Sequence, residues 1–497
     1  MSKKQTYFLY LFVFICGAAV MCLEMAASRL MAPFFGSSIF VWGNIIGIVL
    51  IALTAGYYLG GRVADKHPNK NHLYYYVLVA GVYIAFIPFF FQLMYSDLNL
   101  NLIFGNSYIL AVIIGSFITA LLFFAPPIFL LGFVSPYAIR LATKKIEDAG
   151  KIAGSLYAFS TFGSIIGTFG ASLLLVPFLG SRETIYISSF FLILISAIGL
   201  RKLFFYIFIA VPVILFFWQG DKPLKENEKI IYEDESDYNY IQVINEENQI
   251  RLVTEGGFGS QSIYSKDRIL TDRYYDYFNL LPVLKNIESG NALIIGLASG
   301  IVSRQYNEFY PDFELTGYEI DPAIIKVSRE YMHLGEQDVD IVEGDGRILL
   351  QKEEKKYDLV VIDAYVSEMH IPWHLATQEF FQEVRSHTAK DGLMAMNIID
   401  SSDDKSLLNG FLSTVKSIYP YVYSIPVEKS GNNIIICSNS SLDFQKLSII
   451  NDERLQKLFE YSSKNIKEFT EINNDKIFTD NKAPLDILTG EMLIKKL

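Results

Sequence analysis

Hydrophobic positions along this chain follow two rules, and the change comes near residue 220. Before it, apolar residues run in long blocks. A bilayer core takes about 20 apolar residues per helix, and seven blocks are candidate spans: 7–28, 40–60, 74–95, 108–138, 152–178, 183–200 and 203–219. The fourth contains Ala125-Pro126-Pro127, which predicts a kink or break. Glycines recur at spacings of four, as in Gly43 and Gly47, Gly56 and Gly60, and Gly163 and Gly167. That spacing lets helix backbones approach closely inside lipid. After residue 220 the runs become short. Residues 238–243 and 249–253 read as strands ahead of a Gly256-Gly257 turn. Ala292-Leu293-Ile294-Ile295 reads as a buried parallel strand, and a helical pattern follows over 301–309. The expected architecture is a multi-span α-helical membrane domain of about seven helices, 1–220. It is fused to a small β-rich lead-in, 221–287, an α/β Rossmann-like domain, 288–440, and a polar helical tail, 441–497.

Composition narrows the classes. A chain of 497 residues is too long for one core. A net charge of −11 speaks against a general nucleic-acid binder, which needs a basic footprint. Cys16, Cys22 and Cys437 have no metal-ligand spacing and form no disulfide framework. Lysine and arginine cluster in alternate loops: Lys3 and Lys4, then Arg62, Lys66 and Lys70, then Arg140, Lys144, Lys145 and Lys151, then Arg201 and Lys202. This bias places the N-terminus in the cytoplasm of a multi-pass protein of the inner or plasma membrane. Seven spans would put the C-terminal domain outside, against the chemistry below. Glu24 is the one acid well inside a block. It is a candidate membrane-embedded site or a structural partner for Arg29 or Arg140.

The second half carries four strand-end features in order. Gly296-Leu297-Ala298-Ser299-Gly300 follows the first strand, where glycines let the backbone approach a nucleotide. Glu319 and Asp321 follow the second, and Glu319 lies 19 residues after Gly300, the distance expected of a ribose-binding acid. Gly344-Asp345-Gly346 follows the third, with Asp345 able to accept from an adenine amino group. Asp363 ends the fourth, 359–362. In open α/β sheets the ligand crevice lies at these ends. A dinucleotide-dehydrogenase reading is weaker, because the third glycine is absent and Asp345 has no role in it. His370 and His374 have metal-like spacing, but no further ligands are evident, and no metal is expected.

These motifs, with Tyr357-Asp358 and His374-Leu375-Ala376-Thr377-Gln378-Glu379-Phe380-Phe381, resemble the spermidine/spermine synthase family of aminopropyltransferases over roughly 230–430. The whole chain resembles its membrane-fused bacterial members, through Leu23-Glu24, Arg29-Leu30, Pro33 and Gly36-Ser37-Ser38. The resemblance implies decarboxylated S-adenosylmethionine as cosubstrate, with no resident cofactor. Glu319 would hold its ribose and Asp345 its adenine, with Gly296, Gly300, Asp321 and Gly346 around it, and Asp363 would act on the attacking amine. Tyr240, Tyr275, Asp276 and Glu368 are the acceptor-side candidates. The pattern also departs from the family. Ser299 stands where the glycine loop carries an acid, and Val366 where a second acid follows the catalytic one. The acceptor is therefore a polyamine, another amine or a lipid. Methyl transfer from intact S-adenosylmethionine, or a transporter or sensor with a nucleoside-binding domain, remain alternatives. A homodimer is open.

Overall fold

The structure is a computed structural model that describes residues 3–95, 108–219, 229–254, 260–366, 369–448 and 452–494. It divides into two compact units, Met1–Asn227 and Glu228–Leu497.

Among the described residues of the first unit, six helices are long and apolar enough to cross a membrane: α1 (Lys3–Phe35), α2 (Ile39–Lys66), α3 (Lys70–Tyr95), α4 (Val112–Ala142), α5 (Ile146–Leu179) and α6 (Ser181–Leu200). The expected seventh span is corrected. Residues 203–219 form a 3₁₀ stretch, Leu203–Ile209, and then α7 (Ala210–Gln219). This shorter apolar segment folds back on its neighbours, with Phe205 against Tyr75 and Phe216 against Tyr186. Proline accounts for the irregular turns. A π-helical turn, Ala120–Phe124, precedes Pro126-Pro127, and another, Ala171–Leu175, precedes Pro177. Proline has no amide hydrogen for the carbonyl four residues back, and a widened turn absorbs the gap. The glycine spacing is used selectively. A Cβ on Gly163 would lie 2.0 Å from the Phe14 carbonyl oxygen, and one on Gly167 2.3 Å from that of Ala18. The backbones of α1 and α5 thus touch, while Gly43 and Gly47 face open space. Glu24 is half-buried on α1, and Arg140 pairs with Asp65 at 3.0 Å rather than with it.

The second unit opens with an antiparallel sheet in the order β1 (Ile230–Glu235), β2 (Tyr240–Glu246), β3 (Gln249–Thr254), β4 (Ser262–Ser265). The expected Gly256-Gly257 turn lies outside the described residues. Then come α8 (Leu280–Lys285), β5 (Ser289–Ile295), α9 (Ile301–Phe309), β6 (Asp312–Glu319), α10 (Pro322–Tyr331), β7 (Asp340–Glu343), α11 (Gly346–Lys352), β8 (Tyr357–Ile362), α12 (Gln378–His387), β9 (Thr388–Ile399), α13 (Ser406–Lys416), β10 (Tyr421–Pro426) and β11 (Asn432–Ser438). The chain closes with α14 (Glu453–Asn465), β12 (Lys467–Glu468) and α15 (Leu485–Ile494). The large sheet runs β12-β10-β11-β9-β8-β5-β6-β7. From β9 to β7 its strands are parallel, and β10, β11 and β12 join antiparallel. Parallel central strands are covered on both faces, which is why Leu293, Val360 and Val361 are fully buried. Strand order reverses between β5 and β8, the switch point at which such sheets bind ligands.

The polar stretch expected as a tail does more than trail. Its β12 extends the sheet, and Leu455, Phe459 and Phe478 are buried in the two cores.

Candidate active site

The carboxyl ends of β5, β6, β7 and β8 meet around a cavity of about 170 Å³. Its lining includes Gly296, Glu319, Asp345, Gly346, Asp363 and His374. Gly296 has φ +86°, and a Cβ there would lie 2.6 Å from the Asp363 carbonyl oxygen, so only glycine lets the β5 turn lie against the end of β8. Gly300, at φ +72°, caps α9 in the left-handed region.

Each acid is held differently. The Glu319 carboxylate accepts from the amides of Ala298 (2.8 Å) and Asp321 (3.1 Å). Burial nevertheless pushes its pKa up to about 7. Asp345 caps α11, taking the amides of Arg347 and Ile348 at 3.0 Å on Oδ1. Its Oδ2 lies 2.8 Å from His374 Nε2. Asp363 accepts from the Tyr274 hydroxyl (2.9 Å) and from Asn397 Nδ2 (3.2 Å). Burial raises its pKa to about 7 against these two donors, which lower it.

A second, larger cavity of about 810 Å³ lies beside the first. Tyr274 and Asn397, the two partners of Asp363, line it, and Gln261 and Tyr365 line both cavities. Asp363 thus stands where the two spaces adjoin. Asn397 is oriented for its task, because Asn432 Nδ2 donates to its Oδ1 at 2.9 Å and turns Nδ2 toward Asp363.

The spermine/spermidine synthase domain family matches residues 272–446. The second unit thus contains a spermidine synthase-like domain. A probable polyamine aminopropyl transferase of Bifidobacterium longum is 31% identical over 279 residues, 52% of this chain and 62% of that protein. The chain therefore spans less than two thirds of that relative's length. Polyamine aminopropyltransferase 2 of Aquifex aeolicus is 22% identical over 470 residues, covering 89% of this chain and 90% of that protein. A Drosophila melanogaster homolog of the eEF1A lysine and N-terminal methyltransferase is 25% identical over 158 residues, 30% of this chain and 23% of that protein.

Within the synthase-like domain several expected site residues have other places. Asp321 is fully buried and lines neither cavity. It caps α10 through the Ala323 amide and takes hydrogen bonds from Ser236 (2.6 Å) and Asn239 (2.8 Å) of the lead-in. Tyr240 is buried in β2 and donates to Glu233, away from both cavities. Tyr275 donates to the carbonyls of Ser260 and Gln261, and its neighbour Tyr274 reaches Asp363 instead. Asp276 borders the larger cavity, but its oxygens are engaged by Thr271, Asp272 and Gln305. Glu368 lies outside the described residues.

Tyr274, Gln261, Tyr365 and Asn397 were not among the expected site residues. Asn397 left a signal, as an amide in the apolar run Leu393-Met394-Ala395-Met396, where it is 1% exposed. Gln261 and Tyr365 left none.

Proposed function

We propose that this protein is a membrane-anchored aminopropyltransferase, which moves the aminopropyl group of decarboxylated S-adenosylmethionine to an amine acceptor. The observation that carries the reading is Asp363, a half-buried carboxylate between a small cavity lined by Glu319 and Asp345 and a larger one lined by Tyr274 and Asn397. In the smaller space Glu319 takes the ribose hydroxyls and Asp345 the adenine amino group. The amine enters from the larger one. Its nitrogen lone pair attacks the aminopropyl carbon next to the sulfonium. The carbon–sulfur bond breaks, its electron pair stays on sulfur, and neutral methylthioadenosine leaves. Asp363 orients the amine and accepts the proton that the new ammonium must lose. A raised pKa suits a group that both takes and returns a proton near neutrality.

The test is the product formed by full-length protein in detergent. Methylthioadenosine release with an amine acceptor is expected. Asp363→Asn should cut turnover by about a hundredfold or more while sparing nucleoside affinity. Turnover equal to the unmodified protein would overturn the role of Asp363.

Methyl transfer is the second reading. The buried Ser299 hydroxyl, without a partner, stands where an acid would favour the decarboxylated cosubstrate, and the Drosophila relative carries a methyltransferase name. S-adenosylhomocysteine as product would establish it.

A further inference from the structure

Arg347 connects parts of the chain that are far apart in sequence. Its side chain is only 12% exposed. It forms two parallel bonds to Asp480, at 2.8 and 2.9 Å, and reaches Glu383 at 3.1 Å. Its Nη1 also donates to the His374 carbonyl oxygen at 3.1 Å. Its own amide donates to Asp345. One guanidinium therefore holds the backbone of His374, whose ring touches Asp345, and belongs to the helix that Asp345 caps.

Asp480 lies beyond the matched family domain, which ends at residue 446. It is itself held firmly. Thr377 donates to its Oδ1 at 2.7 Å, and its amide donates to Glu379 at 3.0 Å. The segment is anchored by Phe478, 3% exposed, whose ring meets Phe411 edge-on at 5.3 Å. A Cβ on Gly410 would lie 2.3 Å from that ring, so α13 keeps a glycine where Phe478 enters. The Phe478 carbonyl accepts from the Gln378 amide at 2.8 Å. Two-bond arginine–carboxylate pairs fix direction as well as distance. Asp480 is 38% exposed, so the pair acts through its two-bond geometry more than through its strength.

We propose that this C-terminal segment belongs to the adenine end of the site: Asp480, acting through Arg347, positions His374 against Asp345 and so sets how well the site separates adenine from other purines. The inference rests on the proposed assignment of Asp345 to the adenine amino group. Asp480 is a positioning residue and touches no ligand itself.

The probes are methylthioadenosine and methylthioinosine, which differ in having an amino group or an oxygen at the purine 6-position. Affinities would be measured on the full chain in detergent. The unmodified protein should prefer the adenosine compound. Asp480→Asn should reduce that preference on the order of tenfold, because a shift of about 1 Å is enough to misplace a hydrogen-bonding group. Asp480→Glu should restore part of it, and kcat at saturating cosubstrate should change little. Thr377→Val, which removes one bond to Asp480, should give an intermediate preference, and decides the matter if Asp480→Asn does not fold. An unchanged preference in these variants, with only a lower melting temperature, would overturn the inference. Asp345→Asn separates the two readings: an unchanged preference there would overturn the adenine assignment itself.

Discussion

At the scale of single residues, the proton chemistry of Asp363 follows from what touches it. Its carboxylate is disfavoured by burial and favoured by two donors, Tyr274 and Asn397. If the ionised form is the working one, kcat/KM should rise as pH passes about 7. Tyr274→Phe removes a donor to the ionised carboxylate, so the midpoint should move to higher pH; a pH–rate profile checks this. A midpoint that stays put or falls would mean that Tyr274 does not tune the acid. Stability runs the other way. In the unfolded chain an aspartate loses its proton near pH 4, while the folded group holds it to about 7. Between those values the native state binds more protons, so its stability falls as pH rises through the window. Asp363→Asn should flatten part of that slope in melting curves, with more of it left to Glu319 and Asp276, which burial raises in the same direction. Gly296 sets a separate limit. Gly296→Ala should damage the site through both its φ of +86° and the clash with Asp363, seen as lost nucleoside affinity.

At the scale of elements, the lead-in sheet is fastened to the Rossmann-like sheet by polar and apolar contacts together. Ile241, Val243, Ile250 and Leu252 pack on Ile324, Val327 and Met332 of α10 and the residue after it. Asp321 adds the polar tie, holding Ser236 and Asn239 while capping the same helix. Asp321→Ala should lower stability by about 2 kcal/mol, from a lost cap and a buried amide left without its acceptor. A melting shift of under about 1 °C would show that the tie contributes nothing. How legible these features were in the sequence also differs by element. The order of strand-end acids on β6, β7 and β8 could be read, because each follows a short apolar run at the spacing of one strand–helix–strand step. The place of Asp321 could not. One residue, Ile320, separates it from Glu319, yet its side chain turns into the joint between sheets while Glu319 turns into the crevice.

At the scale of the whole molecule, the proposed membrane topology turns on Leu203–Trp218, the apolar segment below span length. If all six long apolar helices cross, the N-terminus and the stretch after Lys202 would share one face, and the basic loops would make that face cytoplasmic. On the proposed function, the synthase-like domain is expected on that face, where a cytosolic cosubstrate would reach it. Reporter fusions after Lys202 and after Leu497 should both read cytoplasmic; opposite readings would show that 203–219 crosses.

By itself the sequence determined the two-part organisation, the Rossmann-like class and the chain order of Glu319, Asp345 and Asp363. These rest on local hydrophobic runs and glycine positions, which backbone geometry converts directly into structure. Only the tertiary structure decided that Tyr274 rather than Tyr275 reaches Asp363, that Asn397 on β9 faces the same carboxylate, and that Asp480 is tied to the helix capped by Asp345. Those contacts join residues 34 to 133 positions apart. Which of two adjacent side chains turns inward, and what it meets, depends on how separate elements pack, and no periodicity along the chain records that.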